Sequence, residues 1–133
     1  MTQAADDLVQ AALAVRARAY APYSGFKVGA AVRGASGLVY AGCNGENAAF
    51  PEGWCAETAA IAQMVAAGER DIAEVCVVTD RAPPASPCGG CRQRLAEFAR
   101  PETPVHLADL GGIRRTMTLA ELLPAAFSME PRT

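Results

Sequence analysis

Apolar positions recur three and four apart over residues 3–19, where Leu8, Ala12, Val15 and Ala19 share one side of an Ala-rich run. That spacing predicts a packing helix. Asp6 and Asp7 lie in its early turns and Arg16 and Arg18 in its last, an order that complements the helix dipole. Pro22 is expected to end it. The period then drops to two. Phe26, Val28, Ala30 and Val32 alternate along residues 26–33, residues 34–37 form a turn, and residues 38–44 return as a second strand. Gly29 and Gly42 are weak strand residues unless a close neighbour or a ligand needs the space. Both lie near Phe26 and Asn44, which marks that corner as a candidate pocket wall.

Residues 55–67 predict a second helix, with Ala59, Ile61, Ala62, Val65 and Ala66 apolar and Gly68 as its stop. The Val-rich run 72–79 predicts a buried strand, and residues 81–87 a Pro-rich loop. A third helix is expected over residues 88–99, with Leu95, Phe98 and Ala99 on its apolar side. Residues 105–108 and 116–118 suggest short edge strands around the Gly111-Gly112 turn. Thr118 and Glu121 fit a capping box for a last short helix ending near Pro124. Strands alternating with helices predict an α/β fold.

Composition narrows the function classes. A chain of 133 residues is expected to form a single domain over residues 1–133 with a sizeable core. Its 51% hydrophobic and 20% charged residues read as soluble and globular. The net charge of -2, with arginines scattered and Lys27 the only lysine, argues against a nucleic-acid partner, which requires a basic face. No run reaches membrane-spanning length. The first ten residues carry Asp6 and Asp7 where a secretory signal carries positive charge. Five cysteines, an odd and sparse set, fit a reducing, cytoplasmic setting.

The chemistry concentrates in Cys55-Ala56-Glu57 and Pro87-Cys88-Gly89-Gly90-Cys91. Cys55, Cys88 and Cys91 can supply three thiolates to one zinc, leaving a fourth position for water, as catalytic rather than structural sites do. Glu57, two residues from a ligand, is placed to handle protons there. Cys55 and Cys88 both fall at starts of helices that follow strands, where ligands collect in open α/β sheets and where free amides favour a thiolate. A lone C-x-x-C could instead be a redox pair or half of a zinc ribbon. The upstream Cys-x-Glu argues against the first, and the absence of a second C-x-x-C against the other. Cys43 and Cys76 fall inside strands and read as small, buried and inert. His106, the only histidine, reads as a partly buried structural residue. As a fourth ligand it would close the site, but it lies far in sequence from both ligand turns. Asn44-Gly45-Glu46-Asn47 is an ordinary surface turn by composition, yet its amide and carboxylate also suit sugar hydroxyls.

Cys-x-Glu followed by P-C-x-x-C is the known signature of zinc nucleobase deaminases. With residues 23–31, 42–47, 87–93 and 121–127 at matching spacing, the chain resembles the small homotetrameric cytidine deaminases from Tyr23 to Phe127. The resemblance implies a three-layer α/β/α sandwich around a mixed sheet of about five strands. It implies that Zn2+ is held by Cys55, Cys88 and Cys91, with Glu57 catalytic. It also implies that Asn44 and Glu46 hold the ribose hydroxyls, that Phe26 walls the nucleoside pocket, and that the Ala56 backbone with Glu57 reads the cytosine edge. Phe127 would reach into a neighbouring subunit's pocket in a homotetramer with shared active sites; without the resemblance it reads as core packing. The implied reaction is deamination of cytidine and 2′-deoxycytidine. The rivals are a deaminase of another cytosine nucleoside such as blasticidin S and, from a different class, a structural zinc module. Two departures stand out. Thr58 replaces an arginine common after the catalytic glutamate, where it offsets thiolate charge, and Arg92 is the expected substitute. Phe50 stands where relatives often place Tyr, losing a hydroxyl.

Overall fold

A computed structural model describes residues 3–130. Its five strands form one mixed sheet in the order β2-β1-β3-β4-β5. In chain order the elements are α1 (Gln3–Arg16), β1 (Gly29–Gly34), β2 (Val39–Cys43), α2 (Ala56–Ala66), β3 (Ile72–Val78), α3 (Gly89–Phe98), β4 (Pro104–Asp109), β5 (Gly112–Thr118) and α4 (Leu119–Leu122). A single 3-10 turn, Phe50–Glu52, precedes α2. β1 runs antiparallel to β2 and β3, β3 is parallel to β4, and β4 is antiparallel to β5.

Two cores build the layers. On one face Leu8, Val9 and Ala12 of α1 pack on Ala31, Cys76, Val78 and Ala108. On the other, Ala60, Ile61 and Met64 of α2, Leu95 of α3 and Leu119 and Leu122 of α4 cover Ala30, Val32, Val75, Val77, Val105 and Leu107. The sheet is therefore covered on both faces, the three-layer α/β/α arrangement expected. Its central strands read as apolar runs for that reason.

Several boundaries differ from the sequence pattern, each with a local cause. α1 stops at Arg16 rather than near Ala19, because Arg18 and Ala19 tighten into i→i−3 bonds to Val15 and Arg16. Tyr20 then leaves to bridge Gly45, donating to the Asn44 carbonyl and accepting from Glu46 N. Residues 26–28 precede β1 instead of belonging to it. Their backbone is satisfied by the Asn44 side chain, which accepts from Val28 N at 2.8 Å and donates to the Phe26 carbonyl at 2.8 Å. β4 is an interior strand, not an edge, since its parallel partner β3 flanks it. β5 is the true edge and starts at Gly112, its outer residues Arg114 and Arg115 being exposed. The Thr118–Glu121 capping box forms as expected, with Glu121 N donating to Thr118 Oγ1 and Thr118 N to Glu121 Oε1.

Gly29 and Gly42 make close backbone approaches. A Cβ on Gly29 would overlap the Ala12 carbonyl of α1, and one on Gly42 would overlap α2 at Ala59 and Ala60. The neighbour that needs the space is a helix on each face, not a ligand. Since β2 and β3 both run opposite to β1, the segment entering β1 and those leaving β2 and β3 meet at one end of the sheet. That end holds the site.

Candidate active site

Both ligand turns are helix starts. Cys55 is the N-cap of α2 and Cys88 the N-cap of α3, each in extended backbone conformation. Cys91 lies one turn into α3 and is fully buried. The free amides of two helix N-termini therefore converge on the sulfurs, an electropositive setting for thiolates. The Sγ atoms of Cys55, Cys88 and Cys91 all lie within 4.8 Å of one another, and Cys55 and Cys88 are 3.8 Å apart. Tetrahedral zinc–sulfur bonds of about 2.3 Å set the sulfurs about 3.8 Å apart, so the donor set fits zinc. Among the described residues, no histidine or carboxylate completes the cluster. His106 is elsewhere, on β4, with Nδ1 against Thr116 Oγ1 and Nε2 against Glu74.

A hydrogen bond with Cys91 holds the Cys55 thiol below its ordinary range, and the same bond, reinforced by burial, pushes Cys91 far above its own. Glu57, in the first turn of α2, is only 4% exposed. Burial raises its carboxyl above the usual range, opposed by its own backbone amide, by Cys91 and by the charge of Arg94.

Arg92 does not face the sulfurs. Its Nε donates to the Pro87 carbonyl, Nη1 to the Leu122 carbonyl and Nη2 to Ser86 Oγ, each at 2.8 Å. It ties the ligand loop to α4. The cation at the sulfurs is Arg94, whose Nη1 donates to Cys91 Sγ at 3.7 Å, with Thr58 Oγ1 3.8 Å away from the same sulfur. An arginine three residues beyond a ligand on a helix shares its face, and that spacing was the available signal.

A cavity of about 640 Å³ opens beside the cysteines, within the usual range for small-molecule sites. Phe26, Asn44, Glu46, Cys55, Ala56 and Glu57 all line it. The Phe26 ring lies 5.5 Å from the Arg81 guanidinium. Glu46 accepts from Tyr23 N, Ser24 N and Ser24 Oγ, and the Ser24 hydroxyl above all holds its carboxyl below the ordinary range. Phe50 is 77% exposed and meets Tyr23 edge-on, the ring centroids 6.2 Å apart. Phe127, by contrast, is 70% exposed and does not line the cavity of its own chain. Core packing is thereby excluded for it. Cys76 is buried as expected, and burial pushes its thiol up to about 12; Cys43 is partly exposed. The pattern reading overlooked Trp54, which also lines the cavity, although it is the only tryptophan and directly precedes a ligand cysteine.

An α/β/α sandwich with three thiols and a buried glutamate at the mouths of two helices defines a zinc deaminase class of site. The family profile described as the cytidine and deoxycytidylate deaminase zinc-binding region matches residues 2–107. A cytidine deaminase of Sporosarcina psychrophila is 44% identical over 125 residues, spanning 94% of this chain and 92% of the relative. One from Halalkalibacterium halodurans is 42% identical over 123 residues, spanning 92% and 93%. The crystal structure of cytidine deaminase from Burkholderia pseudomallei superposes with a TM-score of 0.88 at 43% identity, covering 96% of this chain and all of that one. The chain belongs to the cytidine and deoxycytidylate deaminase family.

Proposed function

We propose that this chain is a zinc-dependent cytidine deaminase, converting cytidine and 2′-deoxycytidine with water to uridine and 2′-deoxyuridine plus ammonia. The observation that carries the reading is the trio of sulfurs at zinc spacing beside a buried glutamate, opening on a nucleoside-sized cavity. Cys55, Cys88 and Cys91 would hold the ion, which when bound supplies a Lewis acid that acidifies water near neutral pH. Glu57 takes the proton of the attacking water and delivers it to the ring nitrogen as oxygen bonds to C4. The regenerated carboxylate then takes the remaining proton from the C4 hydroxyl of the adduct and passes it to the amine; the C4–N bond breaks as the C4 carbonyl forms, and ammonia leaves. A carboxyl raised by burial suits both halves of this exchange, because it holds a proton more readily than an ordinary carboxylate does.

Asn44 and Glu46 hold the sugar hydroxyls, Phe26 walls the pocket, and the Ala56 backbone with the Glu57 carboxylate reads the cytosine edge. Their common place in the cavity lining supports these roles. The working unit is a homotetramer in which Phe127 of one chain enters a neighbour's site. The exposure of Phe127, Phe50 and Met129 supports this, since large apolar side chains left open to water in one chain are ones an assembly can cover. Among the described residues no helix is long and apolar enough to cross a membrane, and unpaired thiols favour a cytoplasmic setting. Cytidine turnover followed by ultraviolet absorbance tests the reading. Activity should vanish with a strong chelator and return with zinc; chelator-resistant turnover, or none in a zinc-loaded sample, contradicts it.

A further inference from the structure

Gly45 and Trp54 form a two-residue clasp between the turn after β2 and the turn before α2. Gly45 N donates to the Trp54 carbonyl at 3.1 Å and Trp54 N to the Gly45 carbonyl at 2.9 Å, an isolated antiparallel bridge. The indole seals it. Its Nε1 donates to the Cys43 carbonyl at 3.1 Å, where β2 ends. Its six-membered ring lies over Gly45 so closely that a Cβ there would collide with Cζ2, Cε2 and Cη2. Gly45 is buried beneath it, while Trp54 is 52% exposed and lines the cavity. Asn44 and Glu46 flank Gly45, and Cys55 follows Trp54.

We propose that Trp54, seated on Gly45, is a positioning residue that fixes the separation between the sugar-anchoring turn and the metal-ligand turn. The inference rests on the reading of Asn44 and Glu46 as sugar anchors. A nucleoside held at one end by its sugar must present C4 to the ligand turn at the other. The distance between those ends is set by whatever braces the two turns. Two backbone hydrogen bonds alone leave a bridge free to twist. A third bond from the indole, with the ring packed against a glycine, removes that freedom. Misplacement of reacting groups by about 1 Å costs roughly a hundredfold in rate, so such a brace acts on alignment rather than on chemistry.

The test uses the zinc-loaded enzyme as wild type, Trp54→Phe, Trp54→Ala and Gly45→Ala, with cytidine and 3′-deoxycytidine as paired substrates. Zinc per chain and melting temperature are measured alongside, and for Gly45→Ala the emission of the sole tryptophan reports displacement of the indole. Trp54→Ala and Gly45→Ala should lower kcat/KM for cytidine by about tenfold to a hundredfold, with zinc retained. For 3′-deoxycytidine, whose sugar offers less to hold, the loss should nearly disappear. Trp54→Phe keeps a ring on Gly45 but lacks the N–H, and should fall between. Equal losses on both substrates, or no loss on either, overturn the inference and leave the sugar anchors standing. If the wild-type enzyme itself fails to distinguish the two substrates, the sugar-anchor reading fails and the inference falls with it.

Discussion

Arg94 brings its guanidinium to Cys91 Sγ, while Arg92, two residues earlier on α3, spends its nitrogens on Pro87, Ser86 and Leu122. Three thiolates exceed the charge of one divalent cation, so a positive group at the sulfurs lowers their mutual repulsion and their tendency to take back protons. Arg94→Met should therefore lose zinc to a chelator faster at neutral pH. Arg92→Met should exchange zinc at the wild-type rate but lower stability by about 1–3 kcal/mol, the cost of stranding the backbone and side-chain acceptors it satisfies. A chromogenic chelator and a denaturation curve separate the two. Cys55, Glu57, Cys88 and Cys91 were legible because their chemistry is written in local spacing. Arg94 was not, because an exposed arginine on a helix looks the same whichever neighbour it leans on. Asn44 was only half legible. Its amide suggested sugar binding, whereas the contacts the structure shows for that amide hold residues 26–28 in place.

The helices carry the site by their N-termini, and the hairpin that supports α2 is fastened by Glu69. This carboxylate accepts from Ser36 N, Ser36 Oγ and Tyr40 Oη, clasping the β1–β2 turn to the segment after α2. The Ser36 hydroxyl first, then the Tyr40 hydroxyl, hold its carboxyl below the ordinary range. A carboxyl depressed in the folded state stabilises above its unfolded pKa and loses that contribution as pH falls through the folded one. Urea midpoints should thus decline in acid for the wild-type protein, and Glu69→Gln should flatten that decline. Gly42→Ala, which drives a Cβ into α2, should cost about 1–3 kcal/mol as an overpacked contact, read from the same curves. Periodicity revealed α1, α2, α3 and the buried strands because burial imposes it, whereas α4 was read from its capping box. Periodicity failed where another force set the backbone. The side chain of Asn44 took residues 26–28 out of the ladder, and the solvent-facing Arg114 and Arg115 disguised the first half of β5.

The cavity gathers the segment entering β1, the turns leaving β2 and β3, and the starts of α2 and α3, so no single stretch of chain forms it. Its mouth is rimmed by Tyr23, Phe50 and Trp54, each more than half exposed. A four-chain assembly would cover such a rim, and Phe127→Ala should raise KM for cytidine more than it lowers kcat. Light scattering on wild type should give the mass of four 13.8 kDa chains; a monomer with full activity would exclude the shared site. The α/β class was readable in advance from alternating strands and helices, and the three-layer arrangement from the family resemblance. The homotetramer was an expectation from the resemblance alone, because an exposed Phe127 and a buried one look alike along the chain.

The most direct measurement pairs zinc analysis with cytidine turnover in a single preparation of Glu57→Gln. The three sulfurs are untouched, so the variant should carry one zinc per chain, yet lose turnover by about a hundredfold to ten-thousandfold, the worth of acid–base transfer. A fully metal-loaded Glu57→Gln enzyme that deaminates cytidine near the wild-type rate would contradict the account.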